Sequence, residues 1–348
     1  MLTSITVENF RGIERLHVEG LGRVNLIIGR NDSGKTALME ALLLATNPGT
    51  AGSSLVSRQA ERNPDADIRD FDEFWLPIFR RMDATRGFSI EFARSNGPKA
   101  RLSIKQAPPD SPVAPEGLGI QQVQTGAWAL VREITKGDET ITGLIQPGTQ
   151  GIRFPSSLNL EAPGWNWVSS ASRIGALEIR ELSKLKQQNK DNTIINLLQY
   201  VNNQITSIEL LALTGKHVNI YIRLKNEGLI PILMMGEGMK RYFEFAVVLA
   251  SAKHKPIYID EIENGLHHST LEPLWNWIAM ASDKQDVQIF VTTHSEECVQ
   301  AASRAFNAQN DDGLRVIRLD KQEHETKAVV YDRDLVEAAE RMGVEIRG

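Results

Sequence analysis

Cysteine is nearly missing, with Cys298 alone in 348 residues. No internal disulfide can form, and no Cys/His spacing suits zinc, so a reducing compartment is expected. Long apolar runs are missing too: none approaches the roughly 20 residues that a membrane span needs. The opening MLTSITVENFRG has no apolar signal region, so a cytoplasmic protein without a membrane partner is expected. Excess positive charge is also lacking, since 39 Lys and Arg face 44 Asp and Glu for a net charge of -5. A surface basic throughout is thereby excluded, and any DNA contact would be confined to local clusters. The clusters at Lys184, Lys186 and Lys190, or at Lys253 and Lys255, read first as solvated faces. Sustained heptads and internal repeats are not found, which excludes a long coiled coil.

What is present is an ordinary globular composition, 41% hydrophobic and 24% charged, enough for two lobes or one large lobe with an insertion. Short β-like runs, ITVENF, RLHVEG and VNLIIG, lead to a polar loop and a helix over Thr36 to Ala45. Residues 1–69 therefore read as the first part of a head. From 70 to 165 the texture becomes FSIEFAR, RLSIKQ, WALVREI and ETITGLI, broken by the Pro- and Gly-rich QAPPDSPVAPEGLG. That alternation predicts an antiparallel β arm. Residues 166–225 include EIRELSKLKQQ and TIINLLQYVNNQITSIELLAL, whose apolar residues at three- and four-residue steps predict a helical segment. In 226–348 the glycine-bearing MMGEGMKR, a helix over Tyr242 to Ala252, the strand PIYIDE, the helix LEPLWNWIAMA and the strand VQIFVTTHS follow in turn. Such alternation argues for an α/β fold, a mixed and mostly parallel sheet flanked by helices.

The loop Gly29, Arg30, Asn31, Asp32, Ser33, Gly34, Lys35, Thr36 satisfies G-x-x-x-x-G-K-[ST] at every position. Average residue frequencies give a chance match on the order of 1% in a chain of this length. Its glycines let the backbone fold around a β-phosphate, with successive N–H groups pointing inward. Lys35 is placed to bridge the β- and γ-phosphates, and the Thr36 hydroxyl to ligate Mg2+. Adenine and guanine are not distinguished by this loop.

A phosphate loop needs a partner carboxylate at the end of a neighbouring buried strand. Ile257, Tyr258 and Ile259 form such an apolar run, and Asp260 follows in position to hold the metal. Glu261, pointing the other way, is placed to polarise an attacking water. Glu263 reads as a turn or capping carboxylate. The strand Gln288 to Val291 ends in Thr292-Thr293-His294-Ser295. Since it should lie beside the Asp260 strand, His294 is expected within reach of the γ-phosphate.

Taken together, ITVENFRGIERLHVEGLGRVNLIIGRNDSGKTALMEAL, MGEGMKR, IYIDEIENGLHHSTLEPLW and IFVTTHSEE resemble the ABC-type ATPases of the SMC, RecF and OLD group. The similarity is greatest to short bacterial AAA-labelled OLD-like proteins, and these stretches make up about half of the chain. The resemblance implies ATP and Mg2+ as cofactors, and a nucleotide sandwiched between two heads of a homodimer or higher oligomer. It assigns Asp260 as the Walker B aspartate, Glu261 as the catalytic base and His294 as the switch histidine. Arg11, in NFRG, matches an arginine that approaches the nucleotide, and Glu263 to His267 match a loop that crosses the dimer interface. The signature turn departs from Ser-Gly-Gly: Gly236, Glu237 and Gly238, followed by Lys240, leave backbone N–H groups where a serine hydroxyl normally stands. The glutamine of the usual Q-loop has no clear counterpart, Gln59 being a guess.

Without heptads, a long-armed SMC is excluded and compact heads remain. OLD nucleases carry a C-terminal TOPRIM domain, for which the stretch after His294 offers acids such as Asp320, Asp332 and Asp334 but too little length. The chain is therefore expected to be an ATPase and not itself a nuclease. What the resemblance implies is an ATP-gated dimer switch that controls a separately encoded effector, such as a TOPRIM-like nuclease, in phage defence. The alternative is a RecF-like clamp that closes on DNA.

Overall fold

The computed structural model describes residues 1–108, 128–148, 151–155, 166–170, 174–212, 215, 217–322 and 325–342. The break expected at 106–119 falls mostly outside them. Strands β1 (Leu2–Phe10) and β2 (Ile13–Glu19) form a hairpin, and β3 (Val24–Ile28) runs into α1 (Lys35–Thr46), followed by α2 (Ala51–Arg62). Next come β4 (Phe88–Arg94), β5 (Ala100–Gln106), β6 (Leu130–Lys136), β7 (Glu139–Gly148), β8 (Gly151–Arg153) and β9 (Asn166–Val168). Helices α3 (Ala176–Gln187) and α4 (Asn192–Leu198) precede β10 (Ile205–Leu211), β11 (Asn219–Leu224) and β12 (Gly228–Pro231). The last part holds α5 (Glu237–Ser251), β13 (Ile257–Ile259), α6 (Leu271–Lys284), β14 (Ile289–Thr292), α7 (Glu296–Ala308), β15 (Leu314–Lys321), β16 (Thr326–Tyr331) and α8 (Arg333–Arg341).

The strand that leads into the polar loop sits inside a six-stranded sheet of order β16-β15-β3-β14-β13-β9. All pairs are parallel except β15 with β16. Every residue of β3, β13 and β14 is buried, as strands covered on both faces require. Side chains alternate between faces. Ile27, Tyr258, Phe290 and Ile317 pack with α1 and the antiparallel sheet, whereas Leu26, Ile28, Ile257, Ile259, Ile289 and Val291 pack with α5, α6 and α7. Helix α1 is buried on nearly all sides because it lies between the two sheets. Register then sets the site: Ile27 stands opposite Thr292, and Ile259 opposite Val291. The loops leaving β3, β13 and β14 emerge at one edge.

Two expectations change. The arm expected over 70–165 is antiparallel but is not a separate sheet, for β4 pairs with β1 and the order runs β2-β1-β4-β5-β6-β7-β8. Leu2, Ile5 and Val7 of β1 share one core with Ile90 and Phe92 of β4, so a division at residue 70 cuts through a continuous apolar face. The helical segment expected over 166–225 contains only α3 and α4 as helices among the described residues; it also holds β9, β10 and β11. Ile205 and Ile208 mimic a helical step. A bulge explains it, because β10 advances from Ile205 to Ser207 while β11 moves only from Leu224 to Arg223. The extra residue brings two apolar side chains three apart onto the same buried face.

Candidate nucleotide site

Positive φ at Gly29 (144°), Asp32 (59°) and Gly34 (97°) curls the loop after β3. Gly29 admits no side chain, because a Cβ there would lie 2.6 Å from the carbonyl oxygen of Leu319. Gly34 then enters α1 with no capping side chain and no acidic residue in the first turn, so the helix keeps its N-terminal donors and positive end for an outside anion. Arg30, Asn31 and Asp32 are exposed around the rim, Ser33 and Lys35 are buried, and Thr36 is half-buried. The Ser33 hydroxyl has no hydrogen-bond partner. Lys35 Nζ donates to the carbonyls of Gly29 (2.9 Å) and Arg30 (3.0 Å). Burial pulls its pKa down, against the upward pull of Glu261, Asp260, Glu263 and Asp32.

Across β14 from this loop, Asp260 and Glu261 leave β13. Thr292 sets both: its hydroxyl accepts from the Glu261 N–H at 2.8 Å and donates to Asp260 Oδ1 at 2.7 Å. Burial raises the Asp260 pKa, the Thr292 hydrogen bond opposes it, and Glu261 adds to the rise. Glu261 adopts φ 48°, a left-handed conformation that costs about 1–2 kcal/mol outside glycine. Its Oε2 accepts from Asn264 Nδ2 at 2.6 Å, and its Oε1 lies 3.6 Å from His294 Nε2. Both side chains are 36% exposed, so carboxylate and imidazole meet at the surface. Glu263 locks that meeting from behind, accepting from the Thr293 hydroxyl and from the His294 N–H, each at 2.7 Å.

Arg11 lies to one side. Its Nε donates to Glu40 Oε2, its Nη1 donates to Gln59 Oε1 at 3.0 Å, and its Nη2 is buried without a partner. Burial lowers its pKa first of all, with Glu40 opposing. Glu40, one turn beyond Thr36, also meets Arg62 Nε at 2.9 Å and Arg58 Nε at 3.8 Å. Gln59 is buried against Arg11. What stands beside Asp260 in the sheet is instead the end of β9, where the Val168 carbonyl accepts from the Asp260 N–H at 2.9 Å.

Gly236 precedes α5 and caps it through backbone alone, with Met239 N and Lys240 N donating to its carbonyl. Glu237 pairs with Lys240. A Cβ on Gly238 would lie 2.9 Å from the Gly265 carbonyl oxygen, so this turn abuts the Glu263 to His267 segment of its own chain. Residues Asn264, Gly265, His267 and His268 are exposed. Sequence marked Glu263 only as a turn or capping carboxylate and Asn264 only within the Glu263 to His267 loop, and it gave Thr292, Glu40 and Arg241 no role. The doubled hydroxyl in Thr292-Thr293, directly after a buried strand, was the one local sign.

Among the described residues no cluster of three or more His, Cys, Asp or Glu could hold a metal, and no helix is long and apolar enough to cross a membrane. A hydroxyl and a single carboxylate, Thr36 and Asp260, suit Mg2+, which keeps waters and takes its remaining oxygens from phosphates. The unpartnered Ser33 hydroxyl and uncapped α1 suit the phosphates themselves.

Comparison with known proteins gives the family and the fold. Residues 24–299 match the family described as "AAA domain, putative AbiEii toxin, Type IV TA system". An ATP/GTP phosphatase of Helicobacter pylori is 23% identical over 347 residues, 89% of this chain and 90% of that protein. The DNA replication and repair protein RecF of Clostridioides difficile is 42% identical over 43 residues, 12% of each chain. An Smc head bound to the C-winged helix domain of ScpA superposes with TM-score 0.53 at 14% identity, covering 95% of this chain and 98% of that one. The Pyrococcus furiosus Smc head with an extended coiled coil gives 0.54 at 11%, covering 100% and 99%. With most of its length matched, the chain belongs to this AAA-domain family, and its fold is that of an ABC-type ATPase head.

Proposed function

We propose that this head binds and hydrolyses ATP with Mg2+, and that the nucleotide gates its pairing with a second copy. One observation carries the reading: the register of β3, β14 and β13 gathers Lys35, Thr36, Asp260, Glu261 and His294 at one sheet edge. In it Gly29 to Thr36 hold the phosphates, and Thr36 and Asp260 hold the metal. Bound there, Mg2+ would supply charge neutralisation to the phosphates. Glu261 takes the proton of the attacking water, and His294, beside it, orients that water or the γ-phosphate. Arg11 offers its unpartnered Nη2 to the nucleotide.

The Gly236 to Lys240 turn of one copy caps the γ-phosphate held by the other. Leu233 and Met234, 58% and 80% exposed immediately before that turn, would be covered by such pairing. The name of the Helicobacter pylori relative supports nucleotide triphosphate cleavage and leaves the base open between adenine and guanine. The OLD-like resemblance, together with the family's description as a toxin–antitoxin component, supports control of a separate effector in defence, a TOPRIM-like nuclease being the chemistry expected. The short RecF match favours a second reading, an ATP-closed clamp on DNA. Lys35→Ala is expected to abolish ATP binding, whereas Glu261→Gln is expected to bind normally and lose about 100-fold or more in kcat. Normal turnover by Glu261→Gln would overturn the base assignment.

A further inference from the structure

Arg241 is 2% exposed and belongs to the largest fully buried side chains. Its guanidinium joins three segments. Nη1 donates to the Ser169 carbonyl at the end of β9, and at 3.3 Å to Glu244 Oε2 on its own helix. Nη2 donates to the Asp260 carbonyl at 3.0 Å and to the Glu261 carbonyl at 3.4 Å. The group also lies 4.8 Å above the Phe245 ring. Burial lowers its pKa, with Glu244, Asp260 and Glu261 opposing. A buried ion pair is weak evidence for stability, which turns attention to what the fork positions. Apart from Glu244, its acceptors are main-chain carbonyls at the ends of two parallel strands, including both carbonyls of the turn that holds Glu261 at φ 48°. Arg241 itself is only five residues beyond Gly236. A second contact supports the same link, since Gly238 leaves no room for a Cβ against the Gly265 carbonyl.

We propose that Arg241 is a positioning residue that ties the start of α5 to the Asp260–Glu261 turn of the same chain, so that a γ-phosphate engaging Gly236 to Gly238 sets the orientation of Glu261. The relay rests on the ATPase reading above, but the tie does not. In a pair of heads it would link the two nucleotide sites, because the turn of one copy serves its partner while Arg241 serves its own.

The tie is tested by hydrogen exchange on nucleotide-free protein. Arg241→Lys keeps the charge but not the fork, and amides of Glu261 to Asn264 are expected to exchange about tenfold faster while β3 and α1 are unchanged. Unchanged exchange at the turn overturns the tie. Glu244→Gln leaves the main-chain bonds in place and is expected to match wild type; loosening equal to that of Arg241→Lys would make the effect general packing and overturn the proposal. Should Arg241→Lys not fold, wild-type exchange in rising denaturant decides, the two segments opening together if tied and separately if not. The relay is tested by steady-state kinetics. With Gly236→Ala, Arg241→Lys and the double variant, non-additive losses in kcat at similar KM are expected, and additive losses overturn the relay. A wild-type protein without ATPase activity would overturn the function and the relay, while the exchange experiment would still decide the tie.

Discussion

Asp260 carries a cost in the nucleotide-free protein. Burial raises its pKa above the unfolded value, so the folded chain binds that proton more readily, and ionising the group takes stability away as pH rises through the folded pKa. The contribution returns as pH falls below it. Asp260→Asn removes the charge and keeps an oxygen for the Thr292 hydroxyl; about 1 kcal/mol of added stability at pH 7 is expected, with loss of stabilisation by Mg-ATP, both read from melting curves. Glu40 is 1% exposed and stands among Arg11, Arg58 and Arg62. Glu40→Ala leaves uncompensated guanidinium groups and should cost about 3–5 kcal/mol in denaturant unfolding. Cys298 is buried against Trp275, and burial pushes its thiol up to about 12, so native protein should not react with a thiol reagent until it unfolds. At this scale sequence made the phosphate loop and Asp260-Glu261 plain because each is a contiguous run. It did not reveal Arg241 or Thr292, whose partners, apart from Glu244 beside Arg241, are 19 or more residues distant and, for Arg241, are chiefly backbone atoms.

At the scale of elements, the strands β3, β13 and β14 announced themselves by mostly apolar residues, and the structure buries every residue of them, Asn25 and Thr292 included. Strand β9 did not. Three residues long, it is a strand only because β13 offers an open edge, and no local pattern records that. The bulge in β10 disguised a strand as a helix by shifting the apolar period from two to three. The joining of β4 to β1 depends on long-range pairing that alternation cannot assign to a partner. The hairpin of β4 and β5 gives a direct check on that sheet. Gly87 has φ 66°, and a Cβ there would meet Lys105 Cβ at 2.5 Å and the Ile104 carbonyl oxygen at 2.6 Å. Gly87→Ala is expected to lower stability by about 1–3 kcal/mol, seen as a lower urea midpoint with an unchanged slope.

For the molecule as a whole, the proposed site is built from two ends of the chain: Lys35 follows β3, Asp260 follows β13 and His294 follows β14, which lies between those two strands, while Arg11 comes from the β1–β2 turn of the other sheet. Net charge and the paired lysines Lys184 with Glu181 and Lys186 with Asp191 give a DNA clamp little to work with. Weak DNA affinity without a steep salt dependence is expected of the isolated protein, and a steep one would favour the clamp. The central claim is that ATP joins two heads whose sites are each completed by the other. The mass of Glu261→Gln in solution, by light scattering with and without Mg-ATP, tests it most directly: a doubling on addition of Mg-ATP, absent in Lys35→Ala, is expected, and an unchanged mass with nucleotide bound would contradict it.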